Sequence, residues 1–284
     1  MTARAHTPSV GAGDAREVDD HFSWLMAKVA ADSGFQCASY KQRCLRRRVA
    51  VRMRARGVHD FVTYAALLDE DELERERLMD ALTINVTRFF RDRSVYELLA
   101  EQVVPMLWRS DWPEIRVWSA GCASGEEPYS LGILFHAHAA AMRDERRLSR
   151  VRVLGTDIDR ASLTAAAVGA YGETAFADVA DHVRECYFSP EYPSRVIPEV
   201  REMVRLARHD LLRDDPPPAS QHLIVCRNVL IYFDREAQER VFQTFRDLLV
   251  QGGVLVLGKV ETLLGESRQS FTPLSGRERI FVRQ

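Results

Sequence analysis

The chain has 284 residues, of which 46% are hydrophobic, and a formal net charge of −2, so it reads as a soluble globular protein with material for one large core or two smaller ones. Five cysteines, at 37, 44, 122, 186 and 226, show no C-x-x-C and no His-rich spacing, which argues against a zinc site or a disulfide framework and fits a reducing cytoplasm. No stretch approaches the roughly 20 apolar residues of a membrane span.

Residues 1–17 mix Gly, Ala, Arg and Asp without an apolar core and read as a disordered leader, not a secretory signal. Residues 18–84 read as helices only. Apolar stripes recur at helical spacing: Phe22, Leu25, Met26, Val29; then Tyr40, Cys44, Leu45, Val49, Met53; then Phe61, Tyr64, Leu67, Leu68; then Leu73, Leu78, Leu82. Residues 41–56 carry eight basic side chains and no acidic one, a local asymmetry that the net charge hides. The pattern describes a small helical domain over 18–91, with its boundary in the turn at 85–91 or in the helix that follows at 94–108.

From residue 115 strands and helices alternate. Strands are expected at 115–119, 151–155, 222–226 and 253–257, and helices from 126, at 159–168 and at 234–250, the last capped by Asp234. That alternation implies an α/β fold, a Rossmann-like parallel sheet with helices on both faces. Between 172 and 209 it lapses into a helical piece at 178–187 and two short strand candidates at 195–197 and 203–207. We read this as a small inserted β-subdomain within a 92–284 domain.

Ligands of open parallel sheets bind beyond the carboxyl ends of the strands. After the first strand, Gly121 and Gly125 sit in a strand-to-helix turn that would let a ligand approach the backbone. Glu126 and Glu127 in the first helical turn would repel phosphate and favour a phosphate-free, cationic ligand; S-adenosylmethionine has both properties. No Gly-Lys-Ser/Thr follows, against an NTPase. At the tip of the second strand, Asp157 suits a ribose diol, while Asp159 reads as a helix N-cap. Arg227 and Asn228 directly follow a buried apolar strand, where they are costly unless they serve a site or pair locally.

Four ordered motifs then carry a resemblance: Thr-Ile-Asn-Val-Thr-Arg-Phe-Phe-Arg-Asp at 83–92, Trp-Ser-Ala-Gly-Cys-Ala-Ser-Gly-Glu-Glu-Pro-Tyr-Ser at 118–130, Thr-Asp-Ile-Asp at 156–159 and Cys-Arg-Asn-Val-Leu-Ile-Tyr-Phe at 226–233. Together with Tyr40-Lys41 and the arginine-rich helix they resemble the chemotaxis receptor methyltransferases, the CheR family. The resemblance implies an all-α domain joined to an S-adenosylmethionine-dependent methyltransferase sheet. Carried over by motif position, Asn85, Thr87 and Arg91 reach the cofactor, Glu126 or Glu127 lies in the glycine turn, Asp157 holds the ribose, and Asp210-Leu211 lies beside the adenine. Arg227, Asn228 and Tyr232 complete the pocket, with Arg91 and Tyr232 in catalytic roles. Asp210, where the family often has Asn, and Lys259-Val260 before Glu261 depart from the family pattern.

The resemblance implies a cytoplasmic protein-glutamate O-methyltransferase of chemotaxis signal transduction, using S-adenosylmethionine without a metal and releasing S-adenosylhomocysteine. Its partners would be the acidic cytoplasmic helices of chemoreceptors, docked by the basic helix through Arg46 and Arg52. The rivals are a methyltransferase of another protein or of RNA, a nucleic-acid-binding module using the basic run, and a cofactor-binding adaptor without catalysis. Aromatic residues are absent from that run after Tyr40, which weakens the nucleic-acid reading. Some family members grip a receptor's C-terminal peptide with a glycine-bearing loop of the inserted subdomain. The segment 189–194 has two prolines and no glycine, so no C-terminal tether is expected.

Overall fold

The computed structural model describes residues 15–83 and 87–284, the side chains from residue 18. The expected leader thus lies largely outside the described residues. The chain divides into two compact units, Met1–Ile84 with Tyr232–Asp234, and Asn85–Ile231 with Arg235–Gln284.

In the helical unit α1 (Ala15–Ser33) packs on α3 (Phe61–Glu70), and α2 (Gln42–Ala55) on α4 (Glu72–Leu82). Phe22, Leu25, Val29, Leu45, Val49, Tyr64, Leu68, Leu78 and Leu82 form the core, as the helical spacing requires. Asp60 and Asp71 cap α3 and α4, accepting from the amides of Thr63 at 2.7 Å and Glu74 at 2.9 Å. The buried stripe of α4 differs from the expected one. Leu73 is 53% exposed and Glu74 wholly buried, because the i, i+4, i+8 row 74–78–82 faces inward. Tyr232–Asp234, distant in sequence, is fastened into this unit: Lys41 N donates to Tyr232 O at 2.9 Å, Asp234 N to Ser39 O at 2.9 Å, and the Tyr40 and Phe233 rings meet edge to face at 5.0 Å.

The second unit begins with α5 (Arg93–Leu98), continued through a π-turn into α6 (Val104–Trp108). There follow β1 (Ile115–Ala120), α7 (Glu126–Met142), β2 (Val151–Asp157), α8 (Arg160–Val168), β3 (Ala170–Tyr171), α9 (Asp181–Tyr187), β4 (Ser194–Arg195), α10 (Pro198–Met203) and β5 (Val204–Arg208). The unit ends with β6 (Gln221–Cys226), α11 (Arg235–Leu248), β7 (Leu249–Leu257), β8 (Phe271–Ser275) and β9 (Ile280–Arg283). Among the described residues the main sheet has seven strands in the order β5-β2-β1-β6-β7-β9-β8, parallel except where β9 pairs with β7 and β8.

Two features differ from the expectation. The strand candidate at 203–207 is β5, an edge strand of the main sheet parallel to β2, and not part of the insertion. The insertion's ladder pairs β3 with β4, Tyr171 opposite Ser194. The segment expected to close the helical domain instead packs in the sheet unit: Phe89 is fully buried, edge to face with Tyr171 and Phe188 and stacked on Phe176. Burying the Phe89 ring in that unit goes with a boundary at Ile84/Asn85, the start of the expected 85–91 turn.

Candidate active site

The ends of β1, β2, β6 and β7 converge the site residues of the sheet unit. At the end of β1 the amides of Gly121 and Cys122 donate to Thr156 O of β2 at 2.8 and 2.9 Å, which fixes the turn into α7. Both turn glycines have positive φ, +83° for Gly121 and +95° for Gly125. Their lack of a side chain serves packing more than ligand approach. A Cβ on Gly121 would lie 2.4 Å from Val229 Cγ2, and one on Gly125 would lie 2.8 Å from Ala166 Cβ.

Glu126 and Glu127 are both buried. Ser124 Oγ donates to Glu126 Oε2 at 2.7 Å and Ser119 Oγ to Glu127 Oε1 at 2.8 Å, while Glu127 Oε2 lies 3.9 Å from Arg227 Nη1. Burial pushes both carboxyls up, Glu127 to about 7, with Arg227 pulling the latter back down. Two desolvated carboxyls at one helix start suit a ligand bearing positive charge.

Asp157 at the tip of β2 is buried, and its carboxylate clamps the turn: Oδ2 accepts from Ala123 N at 2.8 Å and Oδ1 from Asp159 N at 3.0 Å. Each oxygen keeps a lone pair for a ribose hydroxyl. Asp159 is the N-cap of α8, accepting from the amides of Ala161 and Ser162, as expected. Asp210 is buried and folds back on its own turn, its Oδ1 accepting from Leu212 N at 2.9 Å, with Leu211 between them.

Arg227 is used locally. Its Nη1 donates to Arg91 O at 2.9 Å, its Nη2 pairs with Asp92 at 2.5 Å, and its guanidinium lies 5.7 Å from the Tyr96 ring centre. It therefore anchors the segment that carries Thr87 and Arg91, together with Phe90 N donating to Ser130 Oγ at 3.0 Å. Asn85 lies outside the described residues. Asn228 takes a left-handed conformation, φ +62°. Tyr232 belongs to the helical unit, where its ring centre is 5.3 Å from the Arg48 guanidinium. Ser119, which bonds Glu127, and Asp92, which pairs with Arg227, support the site without having been given a role from the sequence; a hydroxyl on a buried strand was the one local signal at Ser119.

The residues fit S-adenosylmethionine. Asn228 Oδ1 is buried without a hydrogen-bond partner among the described residues, an acceptor suited to a ligand N–H, and it shares the strand ends with Glu126, Glu127 and Asp157. Among the described residues no cluster of three or more His, Cys, Asp or Glu could hold a metal.

The basic helix α2 divides its arginines. Arg46 pairs with Asp19 at 2.6 Å and lies 4.3 Å over the Phe22 ring, and Arg52 forks onto the buried Glu74. Arg48 donates to Ala81 O and Leu82 O. Arg43, Arg47 and Arg54 are exposed and, at i, i+4 and i+11, share one face.

Comparison with known proteins matches both domains. Residues 20–83 match the CheR methyltransferase all-alpha domain and residues 85–280 the CheR methyltransferase SAM binding domain. A chemotaxis protein methyltransferase of Listeria innocua is 32% identical over 260 residues, 91% of this chain and 96% of that one. The Salmonella typhimurium chemotaxis protein methyltransferase is 32% identical over 251 residues, 86% of this chain and 84% of that one. A 104.1 kDa protein of Rhodobacter capsulatus, encoded in the hypE 3' region, is 35% identical over 276 residues; the chain covers 96% of its own length there but spans only 28% of that relative. With its all-α domain matched over residues 20–83 and its sheet domain over residues 85–280, the chain belongs to the CheR family of S-adenosylmethionine-dependent methyltransferases.

Proposed function

We propose that the protein transfers a methyl group from S-adenosylmethionine to glutamate side chains on the cytoplasmic helices of chemoreceptors, giving glutamate methyl esters and S-adenosylhomocysteine, without a metal. The observation that carries this reading is the convergence of Glu126, Glu127, Asp157 and an Asn228 Oδ1 that has no partner among the described residues, at adjacent strand ends in a chain of this family. When bound, the cofactor supplies a methyl carbon made electrophilic by a positively charged sulfur.

Asp157 would take the ribose, Glu126 and Glu127 the cationic methionine end, Asn228 an N–H of the cofactor, and Asp210-Leu211 the adenine edge. The acceptor glutamate has an unperturbed pKa of about 4.3, so it is ionised at neutral pH and needs no strong general base. The protein's contribution is then alignment and exclusion of water. Arg91, held at its backbone by Arg227, would orient the acceptor carboxylate, and Tyr232 would position the methyl donor. Thr87 and Asn85 would reach the cofactor from the same motif, as the family resemblance implies.

Receptor docking is assigned to the exposed row Arg43, Arg47 and Arg54 of α2, since Arg46 and Arg52 have intramolecular partners. An acidic receptor helix offers complementary charge, and this accounts for the basic run without nucleic acid. The loop at 189–194, with Pro190 and Pro193 and no glycine, supports recognition without a C-terminal tether. A cytoplasmic location follows from the substrate; among the described residues no helix is long and apolar enough to cross a membrane.

The test is incubation with tritiated S-adenosylmethionine and membranes from the source cell. A receptor-sized band should gain base-labile label, as a methyl ester must. Label that survives base would point to a different acceptor chemistry.

A further inference from the structure

The turn that leaves β6 contains Asn228, so its shape decides how that residue is presented. Amides shielded from water in such a turn need acceptors. One side chain supplies the acceptors. The carboxylate of Glu261, only 4% exposed, accepts from Gly258 N at 2.6 Å and Asn228 N at 3.1 Å through Oε2, and from Ile231 N at 3.3 Å through Oε1. No ion pair to this carboxylate is found among the described residues, so its charge is balanced by amide dipoles.

The approach is built on both sides. A Cβ at Gly258 would lie 2.7 Å from Glu261 Oε2 and 2.8 Å from Asn228 N, so the bare backbone there is what lets the carboxylate close on the turn. Asn228 stands at φ +62°, a conformation that side-chain-bearing residues rarely adopt, and its own amide is one of those held by Glu261. The amide oxygen of Asn228 is buried without a partner among the described residues. A left-handed residue with an unpartnered, buried acceptor costs free energy that something nearby must offset.

We propose that Glu261 is a positioning residue of the methyl-transfer site: its carboxylate holds the 228–231 turn so that the Asn228 amide oxygen is set for the cofactor before binding. This rests on the reading that Asn228 faces the cofactor. Glu261 touches no reacting atom and acts through Asn228.

Glu261→Gln keeps the size but replaces one acceptor oxygen by an NH2, which confronts an amide donor. Calorimetric titration of the whole chain with S-adenosylhomocysteine should give about a tenfold loss of affinity in Glu261→Gln. The folded state should persist, with only a small fall in melting temperature. Glu261→Asp, which keeps the charge but is one methylene short, should lose affinity similarly. Because Glu261 acts through Asn228, the double variant Glu261→Gln/Asn228→Ala should bind within about twofold of Asn228→Ala alone; a purely structural role would make the two losses multiply.

Affinity unchanged in Glu261→Gln, multiplying losses, or unfolding of both Glu261 variants would each overturn the proposal. Failure of the functional reading is seen separately, as absence of S-adenosylhomocysteine binding by the parent chain.

Discussion

Glu127 offers a quantitative handle on the site. Burial raises its carboxyl from an ordinary value near 4.5 to about 7, against the pull of Arg227 at 3.9 Å, the Ser119 hydroxyl and the Arg91 charge, and with the Glu261 carboxylate adding to the rise. A group with that pKa is ionised in about one molecule in ten at pH 6 and about nine in ten at pH 8. If the ionised form faces the ammonium of the methionine end, binding should strengthen about tenfold across that interval, or about 1.4 kcal/mol. Titration calorimetry with S-adenosylhomocysteine at pH 6, 7 and 8, in two buffers of different ionisation heat, would measure both the slope and the released proton. Glu127→Gln should flatten the profile. The same raised pKa means that Glu127 contributes stability below its unfolded pKa and that this is lost as pH rises through about 7, so the unligated Gln variant should gain on the parent at pH 8. A parent affinity equal within twofold at pH 6 and 8, or an identical slope in the Gln variant, would refute the placement of the cation against Glu127.

Asp157→Ala should weaken S-adenosylhomocysteine binding by roughly 1 to 3 kcal/mol, since it removes ribose acceptors and releases the amides of Ala123 and Asp159; unchanged calorimetric affinity would end the ribose assignment. Reversing Arg43, Arg47 and Arg54 to Glu should raise the apparent Michaelis constant for receptor severalfold at low salt and leave cofactor affinity alone, and an unchanged rate would move the docking surface elsewhere. Glu74→Ala leaves the buried Tyr64 hydroxyl without the carboxylate it bonds at 2.7 Å and frees Arg52 and Arg56 toward water, so denaturant unfolding should show a loss of about 1 to 3 kcal/mol; an unchanged midpoint would mean that water replaces the network. A receptor lacking its last several residues should be methylated as fast as the full-length one, and micromolar binding of an isolated C-terminal receptor peptide would overturn the tether-free reading.

Much of this molecule was legible in its residue order because the informative signals are local. Strands at β1, β2, β6 and β7 announce themselves by short apolar runs, and the side chains that follow them directly, Glu126, Glu127, Asp157, Arg227 and Asn228, are brought together by the rule that parallel strands end on one edge. The N-cap role of Asp159 also needed only its neighbours two and three residues on.

What the tertiary structure alone decided depends on partners far along the chain. Arg46 and Arg52 look like their neighbours in a basic run, and only Asp19, 27 residues back, and Glu74, 22 residues on, remove them from the free surface and leave Arg43, Arg47 and Arg54 exposed. A five-residue strand at Val204–Arg208 carries no mark of which sheet it joins, because its ladder is made with β2 some fifty residues earlier. The assignment of Tyr232–Asp234 to the helical unit, the packing use of Gly121 against Val229, and the clamp that Glu261 places on the Asn228 turn share that origin. Residue type sets what each group can bond; which partner it meets is set by the path of the chain through space, which the one-dimensional pattern does not encode.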